Sequence, residues 1–143
     1  MGSKPPNRGR LDGSHQSAML TMNFPSFRQI QRGNPFVWVG NIQPSTISTV
    51  YKVRITFTHG TNRPRVEVID PPLESRDVGI RIPHTFPDGS LCLHMPGEWS
   101  SSQPIHRTVI PWTSTWLYYY EIWRITGEWL GGGHESQQPK IQK

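Results

Sequence analysis

The sequence is short of cysteine and of long hydrophobic runs, and both shortages limit what the protein can be. Its single cysteine, Cys92, excludes a disulfide within the chain. No run approaches the roughly 18 apolar residues that would span a bilayer, and we find no leader that combines a charged and an apolar segment. We therefore expect a soluble protein of a reducing cytoplasm, without a membrane partner.

Charge is also sparse. Charged residues make up 17% of the sequence, and the formal net charge is +5. Several basic residues lie near the two ends of the chain, namely Lys4, Arg8, Arg10, Lys140 and Lys143. The charge permits contact with nucleic acid, but this placement gives it little weight as a sign of binding, and we expect no direct nucleic-acid partner.

Aromatic residues are plentiful, with six Trp, five Phe and four Tyr, and each buries a large area. A chain of 143 residues fits a single domain with an aromatic-rich core. We predict a disordered polar lead-in at residues 1–16, one folded domain at residues 17–134 and a polar tail at residues 135–143.

The sequence of the first half of the domain predicts a helix followed by strands. Residues 17–32 have a rough helical spacing that Pro25 interrupts, so we predict a short helix or two broken turns there. Apolar and polar residues alternate in three later segments, which is typical of half-buried antiparallel strands: residues 35–42, 51–58 and 65–69. They predict a meander of three or four strands.

The second half predicts a long irregular loop and a helix. Aromatic residues recur at helical spacing in residues 111–126, with Pro111 suited to a first turn and Gly127 to a stop. Helix, antiparallel meander, loop and helix together predict an α+β fold.

The cysteine lies in that loop, in residues 82–94, which read I-P-H-T-F-P-D-G-S-L-C-L-H. Pro83, Pro87 and the Asp88-Gly89 pair are turn-forming residues, so we predict that Cys92 is held in a constrained loop. A thiolate placed in this way can attack an activated acyl group or a thioester.

The residues alone leave the role of the cysteine open. His84 and His94 are near it in sequence, but such proximity does not establish a Cys-His pair. A lone cysteine between Leu91 and Leu93 can instead be a small buried hydrophobic residue.

Metal binding is a further possibility, because several side chains could act as ligands: His84, Cys92, His94, His106 and His134. No C-x-x-C or H-x-x-x-H spacing accompanies them, and one cysteine is few for structural zinc. We predict no metal and no cofactor.

Residues 83–93 resemble the active-site segment of ubiquitin-conjugating enzymes, in which an H-P-N tripeptide precedes a short turn, a Gly and the thioester-forming Cys-Leu. Aligned on Cys92, the tripeptide falls on Ile82, Pro83 and His84. Pro83 matches, Ile82 replaces the His, and His84 replaces the Asn. The resemblance implies the ubiquitin-conjugating (UBC) fold, an antiparallel four-strand meander flanked by an N-terminal helix and an aromatic-rich C-terminal helix.

A second resemblance is carried by residues 108–134, T-V-I-P-W-T-S-T-W-L-Y-Y-Y-E-I-W-R-I-T-G-E-W-L-G-G-G-H, together with I-P-H and G-S-L-C-L-H. These motifs resemble the bacterial conjugating proteins of type II CBASS antiphage operons. The resemblance implies that residues 17–134 are a catalytic domain. It also implies that Cys92 captures the C-terminal glycine of a cGAS/DncV-like nucleotidyltransferase and passes it to an amine, with or without an activating (adenylating) enzyme, which primes cyclic-nucleotide synthesis.

The resemblance also suggests roles for the residues around Cys92. His84 is expected either to stabilise the oxyanion or only to cap the loop. Pro83 is expected to hold the turn, and Gly89 to let the backbone pass close. His94 and Asp88 are each expected to lower the pKa of an acceptor amine or to orient the incoming partner, unless Asp88 is only a solvated loop charge.

Other side chains are expected to have supporting or structural roles. Trp99 and Trp112 are expected to line the cleft, and Glu121 to be a charge on a helix surface.

Two alternatives to the conjugating enzyme remain. One is a non-catalytic scaffold of the same fold that binds the nucleotidyltransferase tail, and the other is a Cys-His hydrolase.

Overall fold

The computed structural model describes residues 10–61 and 63–131, which form helices at both ends and an antiparallel sheet between them. The elements are α1 (Gly13–Asn23), β1 (Arg28–Gln31), β2 (Phe36–Ile42), β3 (Tyr51–Phe57), β4 (Arg65–Asp70), a 3-10 turn (Ile105–Arg107) and α2 (Val109–Thr126). The predicted α+β, UBC-like arrangement is confirmed. None of the helices in the described ranges is both long and apolar enough to cross a membrane.

The sheet is a four-stranded antiparallel meander in the order β1-β2-β3-β4. Its centre follows from alternation in the sequence, because side chains two residues apart in a strand point to the same face. In β3 one face is fully buried and contributes Tyr51, Val53, Ile55 and Phe57 to the core. Ile55 is paired with Trp38 of β2, and both side chains are completely buried.

Strand β1 was not predicted, because the hydrophobic spacing of residues 17–32 resembles that of a helix. In the structure α1 ends at Asn23, before Pro25, and the chain continues as an edge strand. Phe27 is buried over Gly40 of β2, where an added Cβ would lie 2.2 Å from the Phe27 ring. Ile30 is 55% exposed, so it belongs to no buried helical face. Pairing with β2 therefore overrides the local pattern.

Helix α1 begins earlier than predicted. The Asp12 carboxylate accepts a hydrogen bond from the His15 amide at 2.9 Å and caps the helix. Gln16 is buried, donates to the Gln103 carbonyl and accepts from the Ile105 amide. Residues 13–16, which were predicted to belong to the lead-in, therefore form the start of α1, while residues 1–9 and the predicted tail at residues 135–143 lie outside the described residues.

Helix α2 begins two residues before the predicted start and ends where the sequence indicates. Gly127 adopts a left-handed φ of 85°, and its amide donates to the Trp123 carbonyl at 2.8 Å. The buried face repeats at helical spacing: Val109, Ile110, Thr113, Trp116, Leu117, Tyr120 and Trp123. This face joins the core of the sheet, and the loop that carries Cys92 lies between the end of β4 and the start of α2.

Candidate active site

A short turn in the connection from β4 to α2 leads into Cys92. Thr85 and Leu91 form an antiparallel bridge, and between them the Phe86 amide donates to the Ser90 carbonyl at 2.8 Å. The Leu91 amide donates to the Val66 carbonyl at 2.9 Å, which fastens the turn to the edge of β4. The predicted constrained loop is thus a small hairpin anchored to the sheet.

Cys92 is partly buried directly after that hairpin. Its amide donates to the main-chain carbonyl of His84 at 2.9 Å, and its Sγ atom lies 3.9 Å from the His94 carbonyl oxygen. Burial raises the pKa of the Cys92 thiol, while the positive charge of Arg63 and the backbone of His94 lower the pKa by less. The thiol is therefore mostly protonated near neutral pH.

His84 organises the approach to the cysteine through its main chain. Its φ is 54°, a left-handed conformation that few residues other than glycine adopt. Its carbonyl accepts two hydrogen bonds, from the Cys92 amide and from the indole nitrogen of Trp116 at 3.0 Å. The imidazole packs against Trp129, with 5.2 Å between the ring centres. The main chain of His84 is thereby hydrogen-bonded to Cys92, and its ring is packed on Trp129.

Pro83 and Ile82 form the other two positions of the aligned tripeptide. Ile82 is packed against the hydrophobic core, which explains an apolar side chain at a position where the related enzymes have His. Its carbonyl accepts a hydrogen bond from the Thr85 hydroxyl at 2.8 Å. Half-buried Pro83 thus lies inside a closed turn.

Gly89 serves the turn in a different way from the one predicted. Its φ is 89°, and its amide donates to the Phe86 carbonyl. Apart from its two neighbours in the chain, no described residue has an atom within 4 Å of the place where a Cβ would be, so no close passage of backbone requires a glycine here. The requirement is the left-handed backbone conformation.

Asp88 holds the turn together and is more than a solvated charge. One carboxylate oxygen accepts from the Ser90 amide and hydroxyl, at 2.9 and 2.6 Å, and the other accepts from Arg65 at 3.0 Å. The hydrogen bonds from Ser90 and then from Arg65 hold the pKa of the Asp88 carboxyl well below its usual range. Asp88 therefore links the hairpin to β4.

His94 and its neighbour Trp112 form a packed pair. The His94 side chain is nearly buried, its Nδ1 atom lies 2.8 Å from the Met95 carbonyl, and its ring centre lies 5.1 Å from that of Trp112. Because a carbonyl only accepts hydrogen bonds, Nδ1 carries the proton in this contact. The ring thus faces protein, which leaves it poorly placed to orient an incoming partner.

Of the two tryptophans expected to wall the cleft, Trp99 is a core residue. It is 3% exposed, meets Phe57 edge to face, and donates to the Thr108 hydroxyl at 3.1 Å. Trp129, which the spacing did not single out, packs on His84 instead.

Glu121 was expected to be a charge on a helix surface, but its carboxylate is held by two hydrogen bonds. It accepts from the Ser48 hydroxyl at 2.7 Å and from the Tyr51 hydroxyl at 2.8 Å.

An open groove of about 400 Å³ borders the hairpin. Its walls are largely apolar and include Val68, Leu73, Ile82 and Phe86. Such a groove, next to the hairpin that leads into Cys92, can receive an extended peptide.

The possible metal ligands in the described part of the chain form no metal-binding group. Across residues 10–61 and 63–131, no three or more His, Cys, Asp or Glu side chains form a group that could hold a metal ion. His134 lies outside the described residues.

Comparison with known proteins gives one family. A family model described as "Type II CBASS E2 protein" matches residues 16–137, a segment that begins within α1 and extends through the Cys92 loop and α2. A search of curated proteins finds no matching sequence.

Proposed function

Because the chain belongs to the type II CBASS E2 family, we propose that Cys92 is an acyl-transfer nucleophile. It forms a thioester with the C-terminal glycine of a cGAS/DncV-like nucleotidyltransferase and then passes the glycine to an amine, which primes cyclic-nucleotide synthesis. The observation that carries the proposal is the hydrogen bond from the Cys92 amide to the His84 carbonyl. It holds the only cysteine next to the residue aligned with the Asn of ubiquitin-conjugating enzymes.

The chemistry requires an activated glycine, because a thiol does not displace hydroxide from a free carboxylate. The donor is an acyl adenylate or a thioester on an activating enzyme. The Cys92 thiolate attacks the carbonyl carbon, the carbonyl electron pair moves to oxygen, and its return expels AMP or the donor thiolate. An amine then attacks the thioester carbon, loses a proton to solvent and displaces the Cys92 thiolate.

The hairpin and the groove supply what this reaction needs from the protein. Positioning the acyl group accounts for much of such catalysis, and the groove beside Phe86 can receive the tail that carries the glycine. The His84 ring, packed against Trp129, can donate an N–H to the tetrahedral oxyanion, as the Asn does in related enzymes. Its main chain meanwhile caps the loop, so His84 has both roles in this mechanism.

A Cys-His hydrolase fits the site less well. Such an enzyme depends on an imidazole that lowers the pKa of its thiol. Here the pKa of Cys92 is raised by burial, and the groups in the described part of the chain that oppose this are Arg63 and the His94 backbone. A protonated thiol suits exchange with a strongly activated acyl donor better than attack on an unactivated amide.

The raised pKa also gives support to a second candidate, a non-catalytic scaffold that binds the nucleotidyltransferase tail in the groove. A scaffold needs no reactive thiol, and a partly buried, protonated cysteine would suffice for packing. The two candidates differ in whether Cys92 is required for phage defence.

A reconstituted reaction tests the proposal. The protein, the nucleotidyltransferase and the activating enzyme of the same operon, if one is present, are incubated with ATP, and intact masses are measured. We expect an adduct that thiol reductant removes and that Cys92→Ala does not form. Persistence of the adduct in Cys92→Ala would rule out a thioester at this residue, and a Cys92→Ala protein with full defence activity would establish the scaffold.

A further inference from the structure

Arg63 lies in the connection between β3 and β4, facing the hairpin that precedes Cys92. Its guanidinium carbon is 4.0 Å from the centre of the Phe86 ring. The Thr61 hydroxyl donates to the Thr58 carbonyl at 2.7 Å and contacts the Arg63 carbonyl at 3.3 Å, so the backbone at this position is hydrogen-bonded. A cation over an aromatic face is attracted to it, which restricts where the guanidinium can lie.

The aromatic ring that holds Arg63 belongs to the active-site hairpin. The Phe86 amide donates to the Ser90 carbonyl, and the Phe86 carbonyl accepts from the Gly89 amide, each at 2.8 Å. Phe86 is therefore part of the hairpin that leads into Cys92. The positive charge of Arg63 is tied to the same piece of structure as the thiol.

Two neighbouring arginines differ from Arg63 in being neutralised. Arg54 pairs with Glu67 at 2.8 Å, and Arg65 pairs with Glu67 at 2.9 Å and with Asp88 at 3.0 Å. Arg63 forms no ion pair with any residue in the described ranges. No carboxylate in the described part of the chain therefore cancels its charge, and Arg63 lowers the pKa of Cys92 against the larger effect of burial.

We propose that Arg63 stabilises the negative charge on the Cys92 sulfur, both when the thiolate attacks the acyl donor and when it leaves during transfer to the amine. In the first step the sulfur lone pair forms the S–C bond, and in the second the electrons of that bond return to the sulfur. A fixed cation lowers the energy of the charged sulfur in both steps without giving up a proton itself. The catalytic use of this charge rests on the proposed function, whereas its effect on the thiol does not.

Burial explains why such a cation is useful. A partly buried thiolate is less well solvated than one in water, and burial raises the pKa of Cys92 for this reason. Positive charge from Arg63 opposes that effect.

The test is the pH dependence of Cys92 alkylation by iodoacetamide. Arg63→Gln and Arg63→Met remove the charge, and Met keeps an apolar side chain for packing on Phe86. We expect both to move the midpoint of the pH profile upward by about 0.5 to 1 unit and to slow alkylation at pH 8 about three- to tenfold. Arg63→Lys should remain closer to the unaltered protein.

Arg54→Gln is the matched control, because it removes the same charge from the sheet while leaving Arg63 in place. Its midpoint should equal that of the unaltered protein. Arg63→Met and Arg63→Gln profiles that coincide with the unaltered one, in proteins shown to be folded by circular dichroism, would overturn the proposal. So would an equal shift in Arg54→Gln.

Alkylation measures the thiolate and requires no acyl donor, so this result is independent of whether an adduct forms. A shifted midpoint without any adduct would support the effect of Arg63 on the thiol and refute the acyl-transfer function. An adduct at Cys92 with an unshifted midpoint would support the acyl-transfer function and refute the effect of Arg63 on the thiol. Raising the salt concentration should shrink the difference between Arg63→Met and the unaltered protein, because salt screens the interaction.

Discussion

The indole nitrogen of Trp116 donates a hydrogen bond to the main-chain carbonyl of His84 at 3.0 Å. The same carbonyl accepts from the Cys92 amide at 2.9 Å, so α2 and the cysteine are joined through one oxygen atom. Trp116 is itself buried and packs against Trp129, whose ring also contacts His84. The aromatic helix therefore supports the active-site loop directly, in addition to filling the core.

Trp116→Phe tests this support. The change keeps an aromatic ring in the core but removes the N–H donor, which should reduce the free energy of unfolding by about 1 kcal/mol. Trp99→Phe is the matched control, because Trp99 is also buried and also donates one hydrogen bond, to Thr108. Both variants should lose similar stability in urea unfolding, but only Trp116→Phe should alter adduct formation. Equal activity of the two would contradict a role of this bond in positioning Cys92.

Substitutions of His84 separate its backbone from its ring. His84→Gly accepts the left-handed φ without strain but removes the imidazole, whereas His84→Ala loses the ring and is also strained, by about 1 kcal/mol. We expect both to transfer the acyl group slowly and Ala to be the less stable. His84→Asn should retain activity, because Asn tolerates this conformation and has an N–H donor. Full single-turnover activity in His84→Gly would show that the ring is dispensable.

Gly89→Ala should destabilise the hairpin by about 1 kcal/mol, although nothing lies where the methyl group would go. The cause is the φ of 89°. Gly97 has a similar φ of 86° and equally open surroundings, so Gly97→Ala is the control. Thermal unfolding should show comparable losses in the two variants, with the alkylation rate of Cys92 changed only by Gly89→Ala. A change of similar size in the alkylation rate of both variants would show that Gly89 has no specific effect on the site.

Asp88 should make stability depend on pH in the acid range. Its pKa is lowered in the folded protein, so its stabilising effect is present above the ordinary carboxyl pKa of about 3.9 and is lost as the pH falls below that value. Urea unfolding at pH 6 and at pH 3 should therefore show a larger loss in the unaltered protein than in Asp88→Asn. Identical losses would mean that the bonds to Ser90 and Arg65 do not contribute in solution.

The parts of the fold that could be predicted from the sequence are those in which local pattern and tertiary packing agree. Alternation in β3 matches its buried face, and Gly127 ends α2 where expected. Strand β1 was missed because its four exposed residues have no buried pattern, and only pairing with β2 makes them a strand. Asp12 was missed as a helix cap because it lies in a polar segment that favours disorder by composition.

The candidate site shows the same division. Turn-forming residues predicted a constrained loop around Cys92. Alignment of His84 with the asparagine of the H-P-N tripeptide predicted that His84 belongs to the site. The sequence contains no sign that His94 is packed under Trp112 or that Arg63 reaches Phe86, because both contacts join segments that are apart in the chain. The pKa of Cys92 likewise depends on burial, which spacing does not reveal.

The most direct test of the central claim is peptide mass spectrometry of Cys92 after co-expression with the nucleotidyltransferase and exposure to phage. We expect the Cys92 peptide to gain the C-terminal peptide of the nucleotidyltransferase, less one water, through a bond that hydroxylamine cleaves. We also expect this species to disappear when the terminal glycine is deleted. Cys92 that remains unmodified in every condition, in cells that still resist phage, would contradict the claim.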